Sequence, residues 1–220
     1  MNRNYITPLS PEWYSARSGK FTASGFGNLM TAAKGEGFSN AAMQYIYEKA
    51  REKISGGNVK SLITKPMKWG TRMEAPALTV LERYLGMKIQ ECGLLIHPRV
   101  PEAGATPDAL VLDDSGNEYA LVEVKCPYNQ KVHLKYYNTI KSGETLKRIV
   151  PGYYWQIQGS LWVFDLERCY FVSFDPRRLD EKRLLIAEIK RDEKDIARLE
   201  KMVLTAIETR DERIKAIRKG

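Results

Sequence analysis

Apolar and polar positions along the chain follow two spacings, and each spacing marks an element. Helical spacing governs "NAAMQYIYEKAREKI", which follows Ser39 as N-cap and stops at Gly56-Gly57. A longer helical stretch runs from about Pro66 to Leu85, with Leu78, Leu81 and Leu85 on its apolar stripe and Gly86 as terminator. Between them "GNVKSLITK" reads as a loop. Near the start, Ser10-Pro11 opens a short helix, and Ser24 is placed to cap the next. An apolar helix follows Pro151 as far as about Val163. Residues from about 191 to 219 form a charged helix striped by Ile196, Leu199, Val203 and Ile207. That stripe suits packing on this domain or on a neighbouring subunit rather than on a membrane.

Strand spacing appears in "KIQECGLLIH", read as one strand, and later in "RCYFVSF" and "LLIAEIK". The strongest strand signal is a hairpin. Ala109-Leu110-Val111-Leu112 and Tyr119-Ala120-Leu121-Val122 flank Asp113-Asp114-Ser115-Gly116-Asn117, whose Asp, Asn and Gly are turn formers. A turn centred between Ser115 and Gly116 sets Asp108 directly across from Glu123. Side chains alternate faces along a strand, so Lys125 joins Glu123 while Val122 and Val124 point away. This register gathers two acids and a base at one end of a hairpin whose strands are apolar enough to be buried on both sides. Opposed carboxylates repel unless a positive charge lies between them, and a divalent cation supplies one. Oxygen ligands from carboxylates and a main-chain carbonyl suit magnesium or manganese. A one-residue slip in register would undo the arrangement.

Pro107-Asp108 followed by Glu123-Val124-Lys125 resembles the PD-(D/E)xK nuclease signature. The likeness extends over "EWYSARSGKFTAS", "KWGTRMEAPAL", "ATPDAL", "VEVKCP" and "YYWQIQGSLWV", which occur in the order expected of the lambda exonuclease/YqaJ-type viral recombinases. The resemblance covers roughly residues 12 to 190. It implies an α/β (α+β) fold, a restriction-endonuclease-like core with a central mixed sheet flanked by helices, and a single nuclease domain over residues 1–220. It implies that Asp108, Glu123 and the carbonyl of Val124 bind metal, two Mg2+ ions or Mn2+, with Glu74 near the second. Lys125 would orient or deprotonate the attacking water, and Gln156 would help position it. Arg17 would meet a terminal 5′ phosphate with help from Ser24, and Thr106 keeps the hydroxyl that relatives carry as Ser. The activity implied is 5′-to-3′ degradation of double-stranded DNA with phosphorylated 5′ ends, giving mononucleotides and 3′ overhangs. Partners implied are a single-strand annealing protein and further copies in a toroidal homotrimer.

On the residues alone, each assignment has an ordinary alternative. Glu74 could be a helix acid favoured by the dipole, and Gln156 a buried amide in need of a partner. Arg17 could be a surface cation, although the hydroxyls of the following "TAS" and the free amides of a helix start make an anion pocket there. Residues 129 to 149 mix basic and aromatic positions. They read either as a backbone-tracking surface or as an amphipathic helix with Val132, Tyr136 and Ile140 inward.

Composition narrows the classes. Lys and Arg number 35 against 27 acids, a net charge of +8 that suits DNA but equally suits other anions. Two histidines, His97 and His133, leave little material for a histidine-built metal site or a Ser-His-Asp triad, and are expected at the surface or in packing. Cys92, Cys126 and Cys169 include no CxxC pair, against a disulfide framework or a cysteine-bound cluster. No Walker motif implies ATP. The start lacks an apolar leader and no run would span a bilayer, so a cytoplasmic protein of a bacterial host, of phage or prophage origin, is expected. The rival classes are a site- or structure-specific endonuclease on the same core and a non-catalytic DNA-binding recombination protein.

Overall fold

The computed structural model describes residues 3–31, 37–56 and 64–219. Its elements are α1 (Pro11–Arg17), β1 (Phe21–Thr22), α2 (Ala23–Leu29), α3 (Asn40–Ser55), α4 (Lys65–Leu85), β2 (Ile89–Glu91), β3 (Leu95–Ile96) and β4 (Ala103–Ala105). The hairpin β5 (Ala109–Leu112) and β6 (Glu118–Lys125) follows. After it come α5 (Gln130–Thr139), α6 (Gly143–Ile149), α7 (Pro151–Phe164), β7 (Arg168–Phe174), β8 (Leu184–Lys190) and α8 (Glu193–Lys219). The loop expected at "GNVKSLITK" lies almost wholly outside the described residues.

Five strands form a mixed sheet in the order β2-β5-β6-β7-β8, in which only β6 and β7 run parallel. A smaller sheet takes β1-β4-β3. Alternation along the hairpin divides the apolar residues between two cores. Ala109, Val111, Ala120, Val122 and Val124 face Ala77 and Leu81 of α4. Leu110, Leu112 and Leu121 face the larger core built around α2, α3, α7 and α8. The central strands are therefore covered on both faces, which explains their unbroken apolar runs.

The expected single strand over "KIQECGLLIH" is two. β2 belongs to the five-stranded sheet and β3 to the smaller one, because the chain breaks at Cys92-Gly93. There Leu94 instead exchanges both main-chain hydrogen bonds with Ile6, at 3.1 and 2.9 Å. Ser39 caps α3 by accepting from the Ala42 amide. Ser24 does not cap α2: Thr22 holds the N-cap position and its hydroxyl is taken by Arg17, leaving Ser24 inside the first turn. The single amphipathic helix offered for residues 129 to 149 is two, α5 and α6, parted where Ile140 turns extended; Tyr136 and Ile140 are buried, as the packing reading requires.

Both histidines are packing residues and neither lies at the surface. His97 stacks on Trp162 at 4.2 Å between centroids. His133 donates through Nε2 to the Lys182 carbonyl at 2.6 Å, so its Nδ1 accepts from the Ser173 hydroxyl at 2.8 Å.

Helix α7 is buried on nearly all sides and crosses α2 at close range. A Cβ placed on Gly159 would lie 2.2 Å from the Phe26 ring, so the absence of a side chain sets this approach. The α8 stripe packs inward, with Ile196, Leu199 and Val203 buried and Ile207 partly so. Toward its C-terminal end α8 buries a guanidinium completely. Arg210 donates to the Gly19 carbonyl at 2.6 Å and to Glu102 at 2.7 Å, and pairs with Asp211 at 2.8 Å. Gly19 sits at φ +69 with the Lys53 Cβ 2.6 Å from where its own would be, a turn open only to glycine. Among the described residues, no helix is long and apolar enough to cross a membrane.

Candidate active site

The hairpin register decides where the charged residues meet. Ala109 pairs with Val122, Leu110 with Leu121 and Val111 with Ala120, which brings Asp108 and Glu123 together at the open end. A one-residue shift does occur, between Val111 and Leu112, but it lies on the turn side and leaves this register intact. Asp113 fixes the turn by accepting from the amides of Ser115 and Asn117 at 2.9 and 2.8 Å.

Asp108, Glu123 and Lys125 project to the α7 face. Glu123 is buried, and its Oε1 accepts from Lys125 Nζ at 2.5 Å and from Gln156 Nε2 at 2.7 Å. Asp108 accepts from the Val124 amide at 2.6 Å. The Lys125 ammonium lies 4.7 Å from the centre of the Tyr153 ring. Glu74 arrives from the opposite face: α4 covers the valine side of the sheet, and its N-terminal half continues past the strand ends. Glu74, Asp108, Val124 and Lys125 line a cleft of about 490 Å³.

The electrostatics follow from this crowding. Burial pushes the Asp108 carboxyl well above the usual carboxylate range, and Glu123 and Glu74 add to it against the opposing pull of Lys125. Glu74 is raised too, by burial and then by Glu123. Lys125 is raised: burial works against its charge, but Glu123 and Asp108 outweigh it. Negative charge is in excess.

Among the described residues, no three His, Cys, Asp or Glu side chains converge closely enough to hold a metal ion by themselves. The residues present nonetheless fit an oxygen-bound divalent cation. Asp108 and Glu123 are forced together in apolar surroundings with their charges short of compensation, and the main chain at Val124 borders the same cleft.

The second constellation lies beside Thr106. Arg17 donates to the hydroxyls of Thr106 and Thr22, each at 3.3 Å, and stacks 4.2 Å from the Trp13 ring centre. Trp13 also donates to Thr106, at 3.2 Å. Ser24 stands 3.5 Å from Thr22, oxygen to oxygen. No carboxylate forms an ion pair with Arg17 among the described residues, and burial lowers its pKa. Ser24 and Gln156 line one further groove of about 540 Å³, which runs between the two constellations.

All nine residues named from the sequence fall into these two adjoining groups. Two supports escaped that reading: Trp13 and Tyr153. Trp13 and Arg17 are four residues apart on α1, and Tyr153 and Gln156 three apart on α7, spacings that place them on common helix faces. The second glutamine of "QIQ" has a different task. Gln158 donates to the Lys190 carbonyl at 2.8 Å and accepts from the Asp192 amide at 2.9 Å, fixing the entry to α8.

Comparison with known proteins places these features in company. The model of the YqaJ-like viral recombinase domain matches residues 12–167. The alkaline exonuclease LHK-Exo from Laribacter hongkongensis superposes with a TM-score of 0.81, at 28% identity over 96% of this chain and 97% of that one. LHK-Exo in complex with dAMP gives 0.82 at the same identity and coverage. A phage-related exonuclease from Haemophilus somnus shares the fold, with a TM-score of 0.72 at 16% identity over 90% of this chain and 96% of that one. No curated protein matches the chain significantly.

Proposed function

The chain belongs to the YqaJ-like viral recombinase family, and on that premise we propose that it is a phage-type exonuclease, a Mg2+-dependent 5′-to-3′ enzyme acting on double-stranded DNA. The fold is the one the resemblance implied, a mixed sheet flanked by helices. The observation that carries the functional reading is the meeting of Asp108, Glu123, Lys125 and Gln156 at one end of the hairpin.

Asp108, Glu123 and the Val124 carbonyl would hold the cation, with Glu74 beside them. Bound there, Mg2+ or Mn2+ would polarise the phosphodiester and offset charge on the attacking and leaving oxygens. Lys125 is held protonated by its two carboxylates. Its ammonium therefore orients the attacking water and offsets charge developing on the phosphoryl oxygens. Gln156 uses one amide hydrogen on Glu123. The other would hold the water in line.

An enzyme that begins at an end must recognise the end without reading bases. Arg17, which forms no carboxylate ion pair among the described residues and is ringed by the hydroxyls of Thr22, Ser24 and Thr106, suits a terminal 5′ phosphate. The products would be 5′ mononucleotides and a 3′ single strand. A single-strand annealing partner, a ring-shaped homotrimer, one nuclease domain spanning residues 1–220 and a cytoplasmic location in a bacterial host complete the proposal on the family likeness.

Blunt, 5′-phosphorylated linear duplex with Mg2+ should release mononucleotides, and both Asp108→Ala and Lys125→Ala should abolish release. Undiminished release by both variants would overturn the assignment. A covalently closed circle should survive; its cleavage would point to an endonuclease on the same core. Salt-sensitive binding without any hydrolysis would leave only a DNA-binding role.

A further inference from the structure

Tyr128 stands at the mouth of the cleft, three residues beyond Lys125. Its side chain is 52% exposed, which on a free loop would mean little. This loop is fixed from below. Arg177 donates to the carbonyls of Tyr128 and Pro127, at 3.0 and 3.3 Å. Arg177 is in turn locked by bonds of 2.7 and 2.9 Å to Asp175, which is fully buried. Trp69 of α4 meets the Tyr128 ring at 83°, with centroids 6.1 Å apart. The Arg177 guanidinium lies 4.6 Å from the Trp69 ring centre and holds that ring too.

The effect is a rigid aromatic surface, half bare, in the same cleft as Asp108, Glu74 and Lys125. The chemistry decides between possible ligands. The charge of Arg177 is already engaged by Asp175 and by two carbonyls, so little of it is left for a phosphate. What the loop offers the cleft is aromatic face. A phosphodiester seated between Asp108 and Lys125 carries a base on each side, and a base is the flat, apolar partner such a surface accepts.

We infer that Tyr128 is a stacking platform for a nucleobase flanking the scissile phosphate, held in place by Trp69 and Arg177. The subsite takes any base, since every base has a π-face, and it contributes to holding the strand rather than to reading sequence. The inference rests on the nuclease reading of the cleft and adds to it a contact that the metal and phosphate groups do not supply.

The test uses duplexes with an abasic residue at successive positions from the 5′ end, digested by the full chain and by Tyr128→Ala and Tyr128→Phe. For the unaltered protein, one abasic position should raise KM roughly tenfold with kcat little changed. Tyr128→Ala should show a similar rise on normal duplex and no further rise on the abasic one, while Tyr128→Phe should behave as the unaltered protein does. Indifference of the unaltered protein to every abasic position overturns the inference and needs no variant. So does a Tyr128→Ala protein that still discriminates. Lys125→Ala run alongside separates the two readings. If it still hydrolyses DNA, the cleft assignment has failed; if it is inactive, the Tyr128 result bears on stacking alone.

Discussion

Asp108 carries the sharpest conflict at the scale of single residues. Its carboxylate is needed for charge, yet burial and two neighbouring acids oppose that charge. A carboxyl whose pKa is raised on folding costs stability once the pH exceeds its unfolded value, and the cost is complete above the folded value. Asp108→Asn removes the charge and can keep the acceptor for the Val124 amide. Without metal, the variant should melt above the parent protein at pH 8, and the gap should close below about pH 4. Mg2+ should reverse the order by stabilising the parent alone. Thermal melts at two pH values, with and without Mg2+, check both signs.

Gln156 offers a milder case: Gln156→Ala removes one neutral donor from a buried carboxylate. It should cut kcat by about tenfold to a hundredfold while the protein stays folded, as single-turnover rates would show. Three charged residues were legible because they fall within one strand pair whose register the turn residues announce. Tyr153 was not legible, since nothing local says which ring on α7 will underlie an ammonium from β6.

Packing between elements makes further demands. The α2–α7 crossing depends on Gly159, so Gly159→Ala should lower stability by about 1–3 kcal/mol, measured by urea unfolding. Arg210→Leu should cost on the order of 3 kcal/mol, because Glu102 would lose the buried half of its partners. Glu102 also gives this clamp a pH dependence. Burial raises its pKa, but hydrogen bonds from Arg210 and Lys53 outweigh that and hold it below the usual range. A depressed carboxyl stabilises the fold above its unfolded pKa and loses the contribution as pH falls through the folded one. The stability gap between the parent and Glu102→Gln should therefore be constant above about pH 5 and shrink in more acid solution. Strand and helix periods marked most of these elements but not the short strands β1 and β4. They missed the division of β2 from β3, because main-chain pairing of Leu94 with Ile6 is a long-range choice with no local trace. They also misplaced the cap of α2, where Thr22 answers to Arg17 instead of to its own helix.

For the whole molecule, the fold is a device for bringing opposite faces of one sheet to a common edge. Asp108, Glu123 and Lys125 come from the α7 face, and Glu74 from the α4 face. The sequence could suggest this gathering only through its ordered likeness to a family, since the hairpin alone says nothing of where α4 ends. The proposed ring of three copies predicts a particle of about three times 25.2 kDa by light scattering at working concentration.

The contact of Arg210 with Gly19 joins residues 191 positions apart. As the chain emerges from the ribosome, Asp108, Glu123, Lys125 and Gln156 are all made before α8. A nascent chain thus carries the proposed cutting groups before it owns the latch that sets the turn behind Arg17. On the proposed roles, the hold on a DNA end is the later part to mature, so a half-made copy would be a blade without a handle.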